Sequence, residues 1–180
     1  MIKYDCIFFD RDGTVNYDPG YISNIKYFNF FEFTIEAMTL LADVSEKFIM
    51  ITNQSGVSRG LIDEADLLHM NDFIMDELTN NNIPLKKIYY CTDHPDLASE
   101  RRKPGVGMFL EASKEFDINL SDCLMIGDST SDIEPAITLG MDSMLVLTGN
   151  GEIAQRKLGD SKKPKFITKN ILTGARLLTK

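Results

Sequence analysis

Short apolar runs alternate with segments of helical periodicity along the chain. Runs rich in β-branched and aromatic residues predict six strands, at 2–9, 47–52, 86–91, 123–127, 143–148 and 165–168. Helical spacing predicts six helices, at 32–46, 63–80, 105–116, 131–139, 152–158 and 170–178. Such alternation is typical of a mainly parallel sheet covered by helices on both faces. We therefore predict a doubly wound, Rossmann-like, three-layer α/β fold in a single domain over residues 1–180.

The segment Asp10-Arg11-Asp12-Gly13 directly follows the first predicted strand. On extended backbone, side chains two positions apart point the same way, so the spacing aims Asp10 and Asp12 into one pocket and turns Arg11 out of it. One carboxylate of such a pair can attack phosphorus while the other exchanges a proton with the leaving group. The two crowded anions also favour Mg²⁺.

Two other interpretations of Asp-x-Asp-Gly have to be weighed. The pattern is common in surface turns, because Asp and Gly are both turn residues. It also begins the calcium-binding EF-hand loop, whose fifth and twelfth positions supply ligands. Those positions hold Thr14 and Tyr21 here, which sets calcium aside.

Polar residues follow four of the predicted strands. In open α/β sheets the ligand lies beyond the carboxyl ends of the strands, so these residues are candidates for one site. Each alone has an ordinary explanation, such as a strand end, a surface lysine or a helix cap. Their coincidence at four strand ends favours a shared site, formed by Asp10 and Asp12, then Thr52, Asn53, Gln54, Ser55 and Gly56, then Arg102 and Lys103, then Asp128 and Asp132.

The ordered set Asp-x-Asp-Gly-Thr, Ile-Thr-Asn, Arg-Lys-Pro and Gly-Asp with a further Asp four residues on resembles the four motifs of the haloacid dehalogenase (HAD) superfamily of phosphatases. The resemblance runs from about residue 4 to 149. It implies that Asp10 is the nucleophile, Asp12 the general acid/base, and Thr52 and Lys103 the pair that stabilises the phosphoryl group. A proton donor should hold its proton near neutrality, so we expect the pKa of Asp12 to lie above that of free aspartate.

The resemblance also implies a cofactor and an open site. Mg²⁺ would be held by Asp10, the backbone carbonyl of Asp12, and Asp128, with Asp132 supporting the site. Many HAD relatives insert a cap domain between motifs. The intervals from Asp10 to Thr52 and from there to Lys103 leave room only for a loop, a helix and a strand, so we expect no cap domain.

Segments 18–21, 52–60, 89–91 and 102–108 are similar to a HAD subfamily of bacterial heptose-bisphosphate and histidinol-phosphate phosphatases. The heptose branch fits better, which predicts removal of the 7-phosphate from D-glycero-D-manno-heptose 1,7-bisphosphate. Histidinol phosphate, a DNA 3′-phosphate and a non-catalytic sugar-phosphate-binding role are the alternatives. The substrate-binding residues that the resemblance implies are Asp18, Pro19, Gly20, Tyr21, Asn53, Gln54, Ser55 and Arg102.

This subfamily commonly carries a zinc loop just before Arg-Lys-Pro, with the pattern Cys-x-His followed by Cys-x-Cys. The chain keeps Cys91 but has Asp93, Ser99 and Arg101 at the other three positions, and His94 is one place late. A structural zinc site needs four nitrogen or sulfur ligands. We therefore expect a short metal-free loop and no zinc.

The charge balance bears on partners. With 19 basic and 27 acidic residues the net charge is −8, which disfavours nucleic acid and anionic membranes. An anionic substrate, here a small phosphorylated sugar, then needs a local positive cluster or a metal. Three cysteines without a signal-peptide pattern predict a cytoplasmic protein, and Asp5 and Asp10 interrupt the only N-terminal apolar stretch. We expect a monomer.

Overall fold

The computed structural model describes residues 3–159 and 162–180. The strands are β1 (Ile7–Phe9), β2 (Phe48–Asn53), β3 (Leu85–Cys91), β4 (Leu124–Gly127), β5 (Asp142–Val146) and β6 (Phe166–Thr168). The α-helices are α1 (Thr34–Leu41), α2 (Glu64–Asn80), α3 (Gly107–Phe116), α4 (Thr130–Thr138), α5 (Gly151–Lys157) and α6 (Ile171–Leu178).

The six strands form one parallel sheet in the order β3-β2-β1-β4-β5-β6. In the central register, Ile7 of β1 lies opposite Phe48 of β2 and Leu124 of β4. The chain runs outward from β1 on one side and returns to β4 on the other. Loops that leave β1 and β4 therefore diverge and open a crevice at the carboxyl end of the sheet. This confirms the predicted doubly wound α/β fold.

Helices cover both faces of the sheet. Successive side chains of β1 point to opposite faces, so Ile7 and Phe9 belong to one buried cluster and Phe8 to the other. On the first face, α1, α2 and α6 contribute buried apolar residues. On the second, α3 and α4 do so, and the rings of Phe8 and Phe109 lie 5.3 Å apart. A strand buried on both faces reads as a continuous apolar run, which is why β1 was visible in the sequence.

Two predicted elements are shorter in the structure by more than two residues. The first strand, predicted at 2–9, spans Ile7–Phe9; residue 2 lies outside the described residues. Asp5, just before it, instead pairs with Lys47 and accepts a bond from the Asn119 N–H. The helix predicted at 32–46 ends at Leu41, since the chain must turn back at Val44 to enter β2.

The connections beside the crevice are short. Between β1 and β2 the structure has a one-turn 3₁₀ helix (Ile25–Tyr27) and α1, and between β2 and β3 it has α2. Neither connection forms a cap domain, as predicted. None of the helices within residues 3–159 and 162–180 is both long enough and apolar enough to cross a bilayer.

Candidate active site

An open cavity of about 460 Å³ lies at the carboxyl ends of the central strands. Of the site residues predicted from the sequence, all except Pro19 line it. The cavity therefore brings together residues more than a hundred positions apart in the chain. Four further lining residues were not predicted: Ile62, Ser129, Ser131 and Asn150.

The buried Lys103 side chain forms hydrogen bonds near the carboxyl ends of β1 and β2. Asp10 follows β1, and its N–H donates to the carbonyl of Ile126 in β4 (2.9 Å). Lys103 arrives from the loop after β3, and its Nζ donates to Asp10 Oδ1 (2.7 Å), Asp132 Oδ1 (2.6 Å) and the Ile51 carbonyl (2.6 Å). Three acceptors use all three donors of the ammonium group, which allows a charge only 3 % exposed to remain in the interior.

Asp10, Asp128 and Asp132 form the carboxylate cluster, in which one oxygen from each residue lies within 4.8 Å of the others. Burial raises the pKa of Asp10 well above its usual value; Lys103 opposes this, and the two neighbouring carboxylates add to it. Burial and Asp132 raise the pKa of Asp128 to about 7, against the opposing effects of the Asn150 N–H and Lys103. One ammonium group faces three carboxylates, so the cluster has an excess of negative charge and a set of hard oxygen ligands that fits a divalent cation.

The two carboxylate oxygens of Asp132 accept hydrogen bonds from different residues. Its Oδ2 accepts from the N–H (3.0 Å) and the hydroxyl (2.7 Å) of Ser129, which closes the N-terminus of α4. Its Oδ1 is left to face Lys103. The helix cap therefore fixes the orientation of a carboxylate that belongs to the cluster.

The loop after β5 packs against Asp128, and this contact was missed from the sequence. The Asn150 N–H donates to Asp128 Oδ2 (2.7 Å), and the Thr148 hydroxyl donates to the Gly13 carbonyl (2.6 Å). A Cβ atom at Gly13 or Gly149 would lie 2.3 or 2.1 Å from Asp128 Oδ2. Both glycines also have positive φ, of 84° and 53°. Only glycine therefore leaves room for the Asp128 carboxylate between these two loops.

Asp12 lies in a network of donors. Arg11 holds it with two bonds, from Nε to Oδ1 (3.0 Å) and from Nη2 to Oδ2 (2.9 Å). Asn16 Nδ2 donates to Oδ1 (2.9 Å) and Gln54 Nε2 to Oδ2 (2.7 Å). The same Gln54 nitrogen lies 2.8 Å from Thr52 Oγ1.

The expected direction of the pKa shift of Asp12 is wrong. Burial would raise it, but the charge of Arg11 and the hydrogen bonds from Arg11, Asn16 and Gln54 lower the pKa of Asp12 below its usual value. Arg11 does not line the cavity, as the spacing predicted. It is nevertheless only 1 % exposed, because the strand has ended and its side chain folds back onto the next residue instead of reaching solvent.

The predicted substrate-binding residues form the outer part of the cavity. Asp18, Gly20 and Tyr21 come from the loop before α1, where Asp18 Oδ1 accepts from the Gly20 N–H (2.8 Å) and Tyr21 is half exposed. Pro19 lies in the same loop but outside the lining. The Asn53 amide makes two bonds to the backbone of Lys103, at 2.9 and 3.0 Å, and so fixes the main chain beside that lysine.

Comparisons with known proteins agree with this geometry. A family model described as HAD-hydrolase-like matches residues 100–173. The chain is 38 % identical over 153 residues to a D-glycero-β-D-manno-heptose-1,7-bisphosphate 7-phosphatase of Photorhabdus laumondii, covering 81 % of each chain. It is 32 % identical over 153 residues to a D-glycero-α-D-manno-heptose-1,7-bisphosphate 7-phosphatase of Burkholderia mallei, again covering 81 % of each.

A solved structure is similar over nearly the whole chain. It is that of a D,D-heptose 1,7-bisphosphate phosphatase from B. bronchiseptica complexed with magnesium and phosphate, with a TM-score of 0.87. The two chains are 28 % identical, and the match covers 97 % of each. The likeness thus extends beyond the motifs to the arrangement of the entire sheet and its helices.

Proposed function

The chain belongs to the HAD-like hydrolase family and is a phosphomonoester hydrolase, and from that premise we propose that it removes the 7-phosphate of D-glycero-D-manno-heptose 1,7-bisphosphate. The observation that carries the proposal is the identity of more than 30 % with relatives of that name, over about four fifths of the chain. The open cavity at the carboxyl end of the sheet has the residues that such chemistry requires.

We assign the nucleophile to Asp10. Its carboxylate attacks phosphorus, the bond from phosphorus to the sugar oxygen breaks, and the departing oxygen takes a proton from Asp12. Water then attacks the aspartyl-phosphate and gives a proton back to Asp12, which releases inorganic phosphate and restores both side chains. Lys103, whose Nζ lies 2.7 Å from Asp10 Oδ1, would orient Asp10 and offset negative charge, and the hydroxyl of Thr52, which lines the cavity, would bond a phosphoryl oxygen.

Asp12 must gain its proton when substrate arrives. The charge of Arg11 and the hydrogen bonds from Arg11, Asn16 and Gln54 favour its charged form, against the effect of burial. A phosphate dianion close to this carboxylate favours the neutral form, because like charges raise the pKa of an acid. Binding of the substrate therefore opposes the effect of Arg11 and favours protonation of Asp12 in the complex.

We propose Mg²⁺ as the cofactor. Asp10, Asp128 and the backbone carbonyl of Asp12 would hold it, with Asp132 supporting the site. The fit rests on the buried carboxylate cluster, in which burial, and then the neighbouring carboxylates, raise the pKa values of Asp10 and Asp128. When bound, Mg²⁺ supplies positive charge that offsets the charge of the phosphoryl group.

Charge also argues for the bisphosphate. Five carboxylates line the cavity, against two cations, Arg102 and Lys103. Lys103 is bonded to Asp10 and Asp132, whereas the Arg102 guanidinium bonds only the Asp93 carbonyl (3.2 Å) among the described contacts. Arg102 therefore has donors left for a second phosphate, and a guanidinium can grip phosphate with two bonds.

Replacing Arg102 by alanine is expected to lower kcat/KM for the heptose 1,7-bisphosphate about 10- to 150-fold, because a charge-assisted contact is worth roughly 1.5 to 3 kcal/mol. A small generic phosphomonoester, p-nitrophenyl phosphate, should be largely spared. The measurement is phosphate release across a panel of both anomers of the bisphosphate, the monophosphates and histidinol phosphate.

Arg101→Ala is the matched control for that experiment. The Arg101 side chain is bonded to Glu111 (2.7 and 3.1 Å) on the outside of the protein, so this variant should discriminate between the substrates as the parent protein does. Equal losses on both substrates in Arg102→Ala would assign Arg102 to the transferring phosphoryl group. Histidinol phosphate as the best substrate would overturn the heptose assignment and leave the phosphatase mechanism in place.

A second expectation concerns Asp12 as proton donor. Asp12→Asn should lower kcat for a sugar phosphate at least ~10²-fold, the usual scale of general acid catalysis. The loss should be smaller for p-nitrophenyl phosphate, because nitrophenolate leaves without needing a proton. A series of aryl phosphates measures this as a steeper dependence of rate on leaving-group pKa in the variant. An unchanged slope would contradict the assignment.

We also propose a cytoplasmic location and a monomeric state. The three cysteines are all buried and unpaired, which suits a reducing compartment. Size-exclusion chromatography with light scattering tests the monomer.

A further inference from the structure

The loop from residue 92 to residue 102 connects β3 to Lys103 and contains a one-turn 3₁₀ helix (Pro95–Leu97). Two of its residues, Asp93 and Ser99, are joined by two hydrogen bonds and are called the Asp93–Ser99 pair below. Asp93 Oδ2 accepts from the N–H (2.8 Å) and from the hydroxyl (2.5 Å) of Ser99. These bonds, with a third from the Cys91 thiol, lower the pKa of Asp93, so the acceptor is a carboxylate at neutral pH.

The same two residues hold Arg102 at both of its ends. The Arg102 backbone N–H donates to the Ser99 carbonyl (3.1 Å), and its Nη1 donates to the Asp93 carbonyl (3.2 Å). The two acceptors come from opposite sides of the loop. The position of the guanidinium group in the cavity therefore depends on the distance between Asp93 and Ser99, which their hydrogen bonds fix.

Lys103 is fixed by different contacts. Its backbone is bonded to the Asn53 side chain at the end of β2, and its Nζ to Asp10, Asp132 and the Ile51 carbonyl. None of these contacts involves the loop. Loosening the Asp93–Ser99 pair should therefore free Arg102 and leave Lys103 in place.

We infer that Asp93 and Ser99 are positioning residues for Arg102, and that through it they set the preference of the enzyme for a substrate with a second phosphate group. The inference rests on the proposed function, because it assumes that Arg102 contacts that phosphate. Neither residue lines the cavity, so both act only through Arg102.

The experiment compares kcat and KM for the heptose 1,7-bisphosphate and for p-nitrophenyl phosphate. Loss of hydrogen bonds worth about 1 kcal/mol corresponds to about 5-fold, so Asp93→Ala and Ser99→Ala should raise KM for the bisphosphate by about that factor or more. Their kcat on p-nitrophenyl phosphate should be unchanged. Asp93→Asn keeps an oxygen acceptor, so its KM for the bisphosphate should lie close to that of the parent protein.

Asp96→Ala is the matched control. Asp96 lies on the same loop, but its exposed carboxylate is directed to His94, so this variant should behave as the parent protein.

A double-mutant cycle with Arg102→Ala separates the two hypotheses. In that background Asp93→Ala should have no further effect, since the group it positions is gone. If Arg102→Ala loses the preference for the bisphosphate but Asp93→Ala does not, the inference fails and the proposed function stands. If the parent protein shows no preference for the bisphosphate, the proposed function fails. Equal losses on both substrates in Asp93→Ala would also overturn the inference. So would stoichiometric zinc in the purified protein that is lost in Cys91→Ser, because the loop would then be held by a metal ion and not by the Asp93–Ser99 pair.

Discussion

Asp10→Asn is expected to abolish phosphate release, with kcat at least about 10⁴-fold below that of the parent protein, because loss of a nucleophile removes the covalent route altogether. The amide has nearly the same shape as the carboxylate and can still accept a bond from Lys103, so the fold should be kept. The loss should be the same for every phosphomonoester, since each passes through the same intermediate. Steady-state assays with a sugar phosphate and with p-nitrophenyl phosphate measure it.

Two controls make this result decisive. Asp10→Ala should be equally inactive, and because alanine cannot revert by deamidation it excludes slow recovery of the carboxylate. Circular dichroism should match that of the parent protein. Substantial turnover in freshly purified Asp10→Asn would show that another group attacks phosphorus, and the assignment of Asp10 as nucleophile would be wrong.

The sheet and most of the cavity were predictable from the sequence because both follow from local patterns. Continuous apolar runs mark strands that are buried on both faces, and the carboxyl ends of parallel strands meet at one edge. Thr52, Lys103 and Asp128 therefore reach one cavity, although each has an ordinary explanation on its own. The same rule, applied to the end of β5, also points to Asn150, but the residues between that strand end and Asn150 carry no charge that would mark a site.

The environment of Asp12 could not be predicted in this way. Strand alternation correctly directs Arg11 away from the cavity, but it gives no information on a side chain after the strand has ended. Whether that arginine reaches solvent or folds back onto the adjacent Asp12 depends on what surrounds it in the folded protein, here Asn71 in α2, which accepts a bond from its guanidinium group. The pKa of Asp12 follows from this tertiary contact, so reasoning from its role alone gave the wrong direction.

Asp128→Asn is expected to have opposite effects on activity and on stability. Its folded-state pKa is raised from 3.8 to about 7, so the folded protein binds this proton more tightly than the unfolded chain does. Without metal, the protein therefore loses stability as the pH rises from about 4 to about 7. Asparagine carries no charge at any pH in this range, so the variant does not lose this part of its stability. The variant should be more stable than the metal-free parent at pH 8, by up to about 4 kcal/mol for a shift of about three pKa units.

The activity of the same variant should fall at least ~10²-fold, because a ligand of the proposed cation is lost. Lys103→Met is the matched contrast. It removes the cation that faces Asp10 and Asp132, and breaking a buried pair costs about 3–5 kcal/mol, so it should be inactive and destabilised.

Chemical denaturation in chelator at pH 5 and pH 8 measures both variants. The gain in Asp128→Asn should shrink at pH 5, where the parent carboxyl is largely protonated, and Mg²⁺ at pH 8 should stabilise the parent more than the variant. A variant less stable than the metal-free parent at pH 8 would contradict this prediction. It would mean that the contacts of the Asp128 carboxylate with the loop after β5 stabilise the folded protein by more than its buried negative charge destabilises it.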